Sequence, residues 1–317
     1  MASTRTHVRI GISGWRYEPW RGVFYPKGLP QRLELPYAAH NFNSIEINGS
    51  FYSLQPPPNW RAWSAATPAR FVFSVKGPRF ITHMLKLRDV EQPLANFLAS
   101  GLLALHEKLG PILWQFAPWL KFRPKRFEAF FRMLPHDTEA ALRLARRRHP
   151  RMHGRSVLAI DRPRPMRHAV EIRNASFLDR RFVDLLREHG VALVVAETAR
   201  TWPMPRDVTA DFMYLRLHGD RKMYQSGYSI RSLDRWAKAI RAWRRGREPR
   251  ELPPDAVRVC AAAPARPEGR DVFCYFDNTD VKLRAPADAR GLMDRLGLAR
   301  AYDAAALMDL LRRRNGR

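Results

Sequence analysis

Eight short apolar runs, each closing on a polar or charged residue, constrain this chain more than any other feature. They read VRIGISGW (8–15), SIEIN (44–48), FVFSVKG (71–77), PILWQF (111–116), HAVEIR (168–173), VALVVAET (191–198), FMYLRLHG (212–219) and DVFCYFDN (271–278). Runs of this length, rich in β-branched residues and separated by helix-compatible segments, are the pattern of parallel strands buried on both faces. Eight in succession predict an α/β fold, a (β/α)8 barrel of the TIM type. Such barrels carry their chemistry at the carboxyl ends of the strands, which is where the polar residues of these runs gather.

A chain of 317 residues fits that barrel as a single domain over 1–317, with a core over about 8–296 and a C-terminal helix over about 303–314. Apolar periodicity predicts helices over 31–42, 91–109, 176–189, 286–296 and 303–311, one opening at Pro124, and one following Ser232. Residues 136–167 read as an arginine-dense insertion before the fifth strand, and 247–270 as a solvated loop. The two cysteines, Cys260 and Cys274, have no CxxC spacing, which points to a reduced, cytoplasmic setting. MASTRTH leads straight into the first strand without a signal-peptide pattern, and no apolar run approaches the length of a membrane span.

The formal charge is +26, from 56 basic and 30 acidic side chains. A field of that sign attracts polyanions, either nucleic acid or phosphorylated small molecules. Only nine of the basic residues are lysines, and a general arginine bias produces the same excess without any function attached.

Side chains alternate across a strand, so each run splits into two faces. Ser44, Glu46 and Asn48 share one face, as do Ser74 with Lys76, Glu171 with Arg173, Arg216 with His218, and Tyr275 with Asp277. Ser13, Gln115 and Glu197 hold comparable places near strand ends. With the polar face turned inward, the barrel would hold four carboxylates (Glu46, Glu171, Glu197, Asp277) and four potential cations (Lys76, Arg173, Arg216, His218). Such charges either satisfy one another as a structural network or form a binding mouth with perturbed acids and bases. Of the histidines only His83 and His218 fall near strand ends, and HExxH and Cys/His clusters are absent, so no metal or other cofactor is expected. Trp15, Tyr17, Trp20, Phe24 and Tyr25 follow the first run, and Phe51, Tyr52, Trp60 and Trp63 the second. These rings either pack the barrel top or stack a base or sugar.

Together, GISGWRYEPWRGVFYPKGLP (11–30), FNSIEINGSFYSL (42–54), FVFSVKGPRFITHMLKL (71–87), LGPILWQFAP (109–118), HAVEIRNASF (168–177), DFMYLRLHG (211–219) and DVFCYFDN (271–278) resemble the YecE-like barrels, the domain-of-unknown-function 72 family. The resemblance runs from about Val8 to Leu296 and implies a TIM-like barrel. It also implies a pocket lined by Ser13, Trp15, Tyr17, Glu46, Asn48, Tyr52, Lys76, Thr82, His83, Gln115, Glu171, Arg173, Arg216, His218 and Asn278. Asn174 and Phe177 stand where the family commonly has His and Trp, and the 136–167 insertion exceeds the family's minimal pattern.

The leading expectation is an enzyme acting on an anionic, phosphate-bearing substrate. Lys76, Arg173 and Arg216 would hold the anion, Glu46 or Glu171 would serve as general base or acid, and His218 would be the other proton carrier. Ser13, Trp15, Tyr17, Asn48, Tyr52, His83, Gln115 and Asn278 complete the expected substrate contacts. The alternative is a protein that binds damaged or single-stranded DNA without metal-dependent cleavage, by fold-level analogy with apurinic endonuclease barrels. A third is glycoside chemistry on the Glu46–Glu171 pair. No membrane partner is expected.

Overall fold

The computed structural model describes residues 6–279 and 282–298. Each apolar run forms a parallel strand: β1 Val8–Ser13, β2 Ser44–Ile47, β3 Val72–Lys76, β4 Leu109–Gln115, β5 His168–Glu171, β6 in two pieces (Ala192–Leu193 and Val195–Glu197), β7 Phe212–Leu217 and β8 Asp271–Phe276. Neighbours in the sheet are neighbours in the chain, with β8 pairing to both β1 and β7. The first piece of β6 pairs with β5 and the second with β7. Val194 joins them, its N–H on the Val170 carbonyl at 2.9 Å, so the ring nearly closes. This is the TIM-like barrel that the sequence pattern predicts.

Alternation sorts the side chains as parallel barrel strands require. Ile10, Ile12, Ile45, Ile47, Phe73, Val75 and Trp114 turn outward and are buried beneath the helices. Full burial of one such side chain contributes about 1.5–3 kcal/mol, so the outer face of the sheet supplies much of the core energy. The interior is stratified. Near its base Phe212 and Phe273 meet edge to face at 5.9 Å. Above them lies a hydroxyl layer, in which Ser44 pairs with Tyr275 at 2.6 Å and Ser74 with Tyr214 at 2.8 Å. Charged groups fill the top.

Eight helices of at least eight residues cover the described barrel, besides a single turn at Gly49–Tyr52: α1 Glu34–Asn41, α2 Pro57–Ala65, α3 Glu91–Ala99, α4 Pro124–Met133, α5 Thr138–Ala145, α6 Arg180–Glu188, α7 Ile230–Arg244 and α8 Ala285–Leu296. Ser229 caps α7 by accepting from the Ser232 N–H, and Leu233, Trp236, Ile240 and Trp243 form its buried stripe. The helix expected over 91–109 divides at Gly101, whose φ is 112°. A Cβ there would lie 2.7 Å from the Trp60 ring, so close packing of α2 demands the glycine and ends the helix. The chain continues as a 3-10 segment, Leu102–Lys108. Likewise 31–42 begins as a 3-10 turn, Gln31–Leu33, before α1. The solvated loop at 247–270 carries a two-residue pairing of Ala256–Val257 with Met204–Pro205.

The arginine-dense insertion has its own helix, α5, capped by Asp137, which accepts from the Ala140 N–H at 2.7 Å. It is clamped along α3 by Arg147–Glu91, by the His149 N–H on Asn96, and by the Val157 N–H on the Ala99 carbonyl. None of its residues lines the mouth of the barrel. Both cysteines are free, and Cys274 is buried on the outer side of β8. Among the described residues no helix is long and apolar enough to cross a membrane. The helix expected at 303–314 lies outside the described residues.

Candidate functional site

The charged top of the interior is organised around one guanidinium. Arg216, on β7 and fully buried, donates from Nε and Nη2 to the two oxygens of Glu46 at 3.1 and 2.9 Å. Nη1 reaches Glu171 at 2.6 Å and Nη2 also reaches Asp277 at 3.0 Å. The carboxylates are held in turn: Tyr214 and Ser13 donate to Glu46 at 2.6 and 2.9 Å, and Gln115 and Arg173 donate to Glu171 at 3.0 and 2.9 Å. Burial alone would raise Glu171, but the charges of Arg216 and then Arg173 hold its carboxyl well below the usual range. Burial opposes the Arg216 charge as well, and Glu46, Glu171 and Asp277 more than restore it. These are charge-assisted bonds, bidentate at Glu46, the strongest kind available to side chains.

His218, just past the end of β7, faces Arg216 through Nε2 at 3.4 Å and Asp277 through Nδ1 at 3.2 Å. Burial, then Arg216, lowers its pKa, so the ring is neutral at pH 7. The geometry assigns its proton to Nδ1, with the Nε2 lone pair turned to the guanidinium. Tyr224 covers the ring edge-on at 5.2 Å. The imidazole expected to shuttle protons is therefore sealed beneath the mouth.

Above this floor lies a cavity of about 670 Å³, lined in part by Asn48, Lys76, Arg79, His83, Gln115, Arg173, Tyr224 and Asp277. Its walls add Phe51, Tyr52, Met84 and Trp119. Lys76 Nζ lies 4.2 Å from the centre of the Phe51 ring, and the Arg173 guanidinium stacks on Trp202 at 3.8 Å. His83 is wedged edge-on between Phe51 and Trp119, with Nδ1 against the buried Thr82 hydroxyl at 2.8 Å. Burial, reinforced by Lys76, Arg173 and Arg79, pulls its pKa down to about 4, so it too is neutral at pH 7. Burial and Arg216 bring Lys76 down to about 8. Asp277 stays ionised, because Arg216 and His218 outweigh its burial.

Of the residues named from sequence, Asn48, Tyr52, Lys76, His83, Gln115 and Arg173 do line this cavity. Glu46, Glu171, Arg216 and His218 converge as the alternation predicts, but as its buried floor rather than its wall. Ser13 and Trp15 border a neighbouring cavity of about 360 Å³ that shares Asn48 with the first. Three expectations are corrected. Tyr17 packs on Trp20 at 5.5 Å, away from the cavity. Asn278 points outward and donates to Asp288 and the Ser226 carbonyl, tying α8 to the loop after β7. Glu197 also points outward, where Trp236 of α7 donates to it at 2.8 Å and burial lifts its pKa to about 7. Arg79, Met84, Trp119, Tyr224 and Thr279 are the additions, all contributed by segments beyond strand ends. Among the described residues no three or more His, Cys, Asp or Glu side chains are grouped so as to hold a metal ion.

A profile of the family described as protein of unknown function DUF72 matches residues 9–309. The chain belongs to the DUF72 family. This DUF72 chain is similar to the UPF0759 protein YecE of Escherichia coli (strain K12), with 27% identity over 69% of this chain and 76% of YecE. It is 31% identical to the UPF0759 protein YunF of Bacillus subtilis (strain 168) over 41% of this chain, a match spanning 46% of YunF. Among solved structures, a DUF72 protein from Thermotoga maritima shares the fold with a TM-score of 0.64 and 22% identity, covering 92% of this chain and 99% of its own. Another, from Enterococcus faecalis, has a TM-score of 0.62 and 17% identity over 93% of this chain and 97% of its own.

Two positions depart from the expected DUF72 pattern, and both are structural here. Asn174 caps the turn Ala175–Phe177 by accepting from the Ser176 N–H, while its amide donates to the Pro118 carbonyl at 2.7 Å. Phe177 stacks on Phe116 at 5.6 Å. Neither belongs to the cavity wall of this DUF72 chain.

Proposed function

We propose that this protein is an enzyme that takes a small phosphate- or carboxylate-bearing substrate into the mouth of the barrel. One observation carries the reading: Lys76, Arg79 and Arg173 face the cavity, and of the three only Arg173 has a carboxylate partner among the described residues, Glu171, while Arg216 engages the floor carboxylates. An anion entering there meets a concentrated positive field with low-dielectric aromatic walls. The proton-transfer roles first given to Glu46, Glu171 and His218 pass to groups that reach the cavity, the Asp277 carboxylate and the neutral His83 imidazole. Glycoside chemistry is supported least, because Glu46 and Glu171 are both engaged by Arg216.

The test is thermal unfolding with inorganic phosphate. Phosphate should raise the melting temperature of the wild type and lose that effect in Lys76→Met/Arg173→Met. An equal rise in both proteins places the anion elsewhere and removes the reading.

A second reading has its own observation. Tyr52 and Trp119 are 70% and 62% exposed at the rim, the placement of stacking platforms for single-stranded nucleic acid. Fluorescence anisotropy with intact, abasic and single-stranded DNA across salt concentrations decides it. Preference for one form that survives moderate salt and falls in Trp119→Ala supports it, whereas equal, salt-erased binding assigns the +26 charge to generic attraction.

A further inference from the structure

Lys76 differs from the other cations buried around the mouth in what surrounds its charge. Arg216 has three carboxylate partners and Arg173 has Glu171. The Lys76 ammonium has neither a hydrogen bond nor an ion pair among the described residues; its near contact is the Phe51 ring, and Glu46, Glu171 and Asp277 act on it from beyond ion-pair distance. The residue is 8% exposed, and what remains open faces the cavity. Its backbone is fixed, since Ser50 Oγ donates to the Lys76 carbonyl at 2.7 Å. Directly after it, a Cβ on Gly77 would strike Trp114 at 2.4 Å, so the backbone at this strand end is closely packed.

An ammonium held this way gives up its proton more readily than one in water. With its pKa brought down to about 8, Lys76 holds a larger share of free amine at pH 8 than an ordinary lysine does. A free amine at the floor of an open cavity, beside two guanidinium groups suited to a phosphate, is a nucleophile with an anion anchor next to it.

We propose that Lys76 forms an imine with the aldehyde or ketone of the anionic substrate. This rests on the anion-binding reading above and adds what the bound molecule undergoes. The Nζ lone pair adds to the carbonyl carbon as the C=O π pair moves to oxygen. The two amine protons then leave with that oxygen as water, so amine plus carbonyl becomes imine plus water with no change in oxidation state. Asp277 and Tyr224, both on the cavity wall, are placed to move these protons, the carboxylate accepting and the phenol donating. Protonation of the imine then draws electrons from the neighbouring carbon and weakens its C–H or C–C bond. Arg79, and Arg173 through the donors that Glu171 does not take, remain to hold the phosphate.

Pyridoxal 5′-phosphate is the probe, being an aldehyde that carries a phosphate. The full chain is incubated with it at pH 8, reduced with borohydride, digested and mapped by mass spectrometry. The expected result is labelling of Lys76 at least about tenfold faster than of the other lysines, in keeping with its larger amine fraction. Inorganic phosphate should slow it, and Lys76→Arg, which keeps the charge but not the nucleophile, should abolish it. Lys76→Met serves as a second variant, and circular dichroism checks that each is folded. Uniform labelling of the lysines overturns the imine. If phosphate still raises the melting temperature in that case, the anion site stands and only the imine falls. If phosphate has no effect either, both readings fall.

Discussion

Arg216 and Lys76 point into the same barrel interior, both buried and both cationic, yet the protein treats them in opposite ways. Arg216 has a carboxylate on three sides, and those carboxylates are themselves held by Tyr214, Ser13, Gln115 and Arg173. Lys76 is given an aromatic ring and an open cavity. A buried ion pair is tolerable when every lone pair and proton is satisfied, so the Arg216 floor is architecture. A buried charge without a partner costs stability, and a fold retains such a group where a ligand later supplies the partner. Burial of charge therefore does not mark a site. Incomplete pairing does.

The sharpest way to break this comparison is to give both cations the same replacement. Arg216→Met strands three carboxylates in the interior and should cost about 3–5 kcal/mol in urea unfolding. A loss below about 1 kcal/mol would mean that the floor is not structural. Lys76→Met should act in the opposite direction, stabilising the ligand-free protein by about 1–3 kcal/mol at pH 7. Its pH dependence carries a signature. The Lys76 value falls from 10.5 in the reference state to about 8 in the folded one, so the unfolded chain binds more protons between those limits. Wild-type stability should therefore gain a contribution of up to about 3 kcal/mol as pH rises through that window, and Lys76→Met should flatten it. A variant that tracks the wild type across the window would put a counter-charge beside Lys76. The smallest effect belongs to the insertion. Arg147→Gln removes an ion pair whose side chains are 73% and 54% exposed, and should change stability by no more than about 0.5 kcal/mol. A larger change would make the insertion part of the folding core.

Much of the site is legible in strand alternation. Glu46, Lys76, Glu171, Arg216 and Asp277 all turn inward as a period of two requires. Glu197 is not legible in this way, because VALVVAET is apolar on both faces and gives no phase. The fold decides it: Ala196 pairs in register with Arg216 and packs in the interior cluster. Glu197 is consequently sent outward to Trp236. Asn278 shows the converse. Alternation with Asp277 places it outside, where it binds Asp288, although the family resemblance had placed it in the pocket.

What the sequence determined by itself is the barrel, its single ring of strands and the polar character of its mouth, because burial on both sheet faces writes itself into composition and spacing. What only the tertiary structure decided is which of those polar groups are spent on one another. Pairing depends on distances of a few ångströms between residues such as Glu46 and Arg216, 170 positions apart in the chain. Loops supply the remaining wall through Arg79, Trp119 and Tyr224, whose places follow from packing rather than from any period. Lys76 belongs to both accounts: alternation turns it inward, and the claim of Arg216 on the carboxylates leaves it unpaired among the described residues.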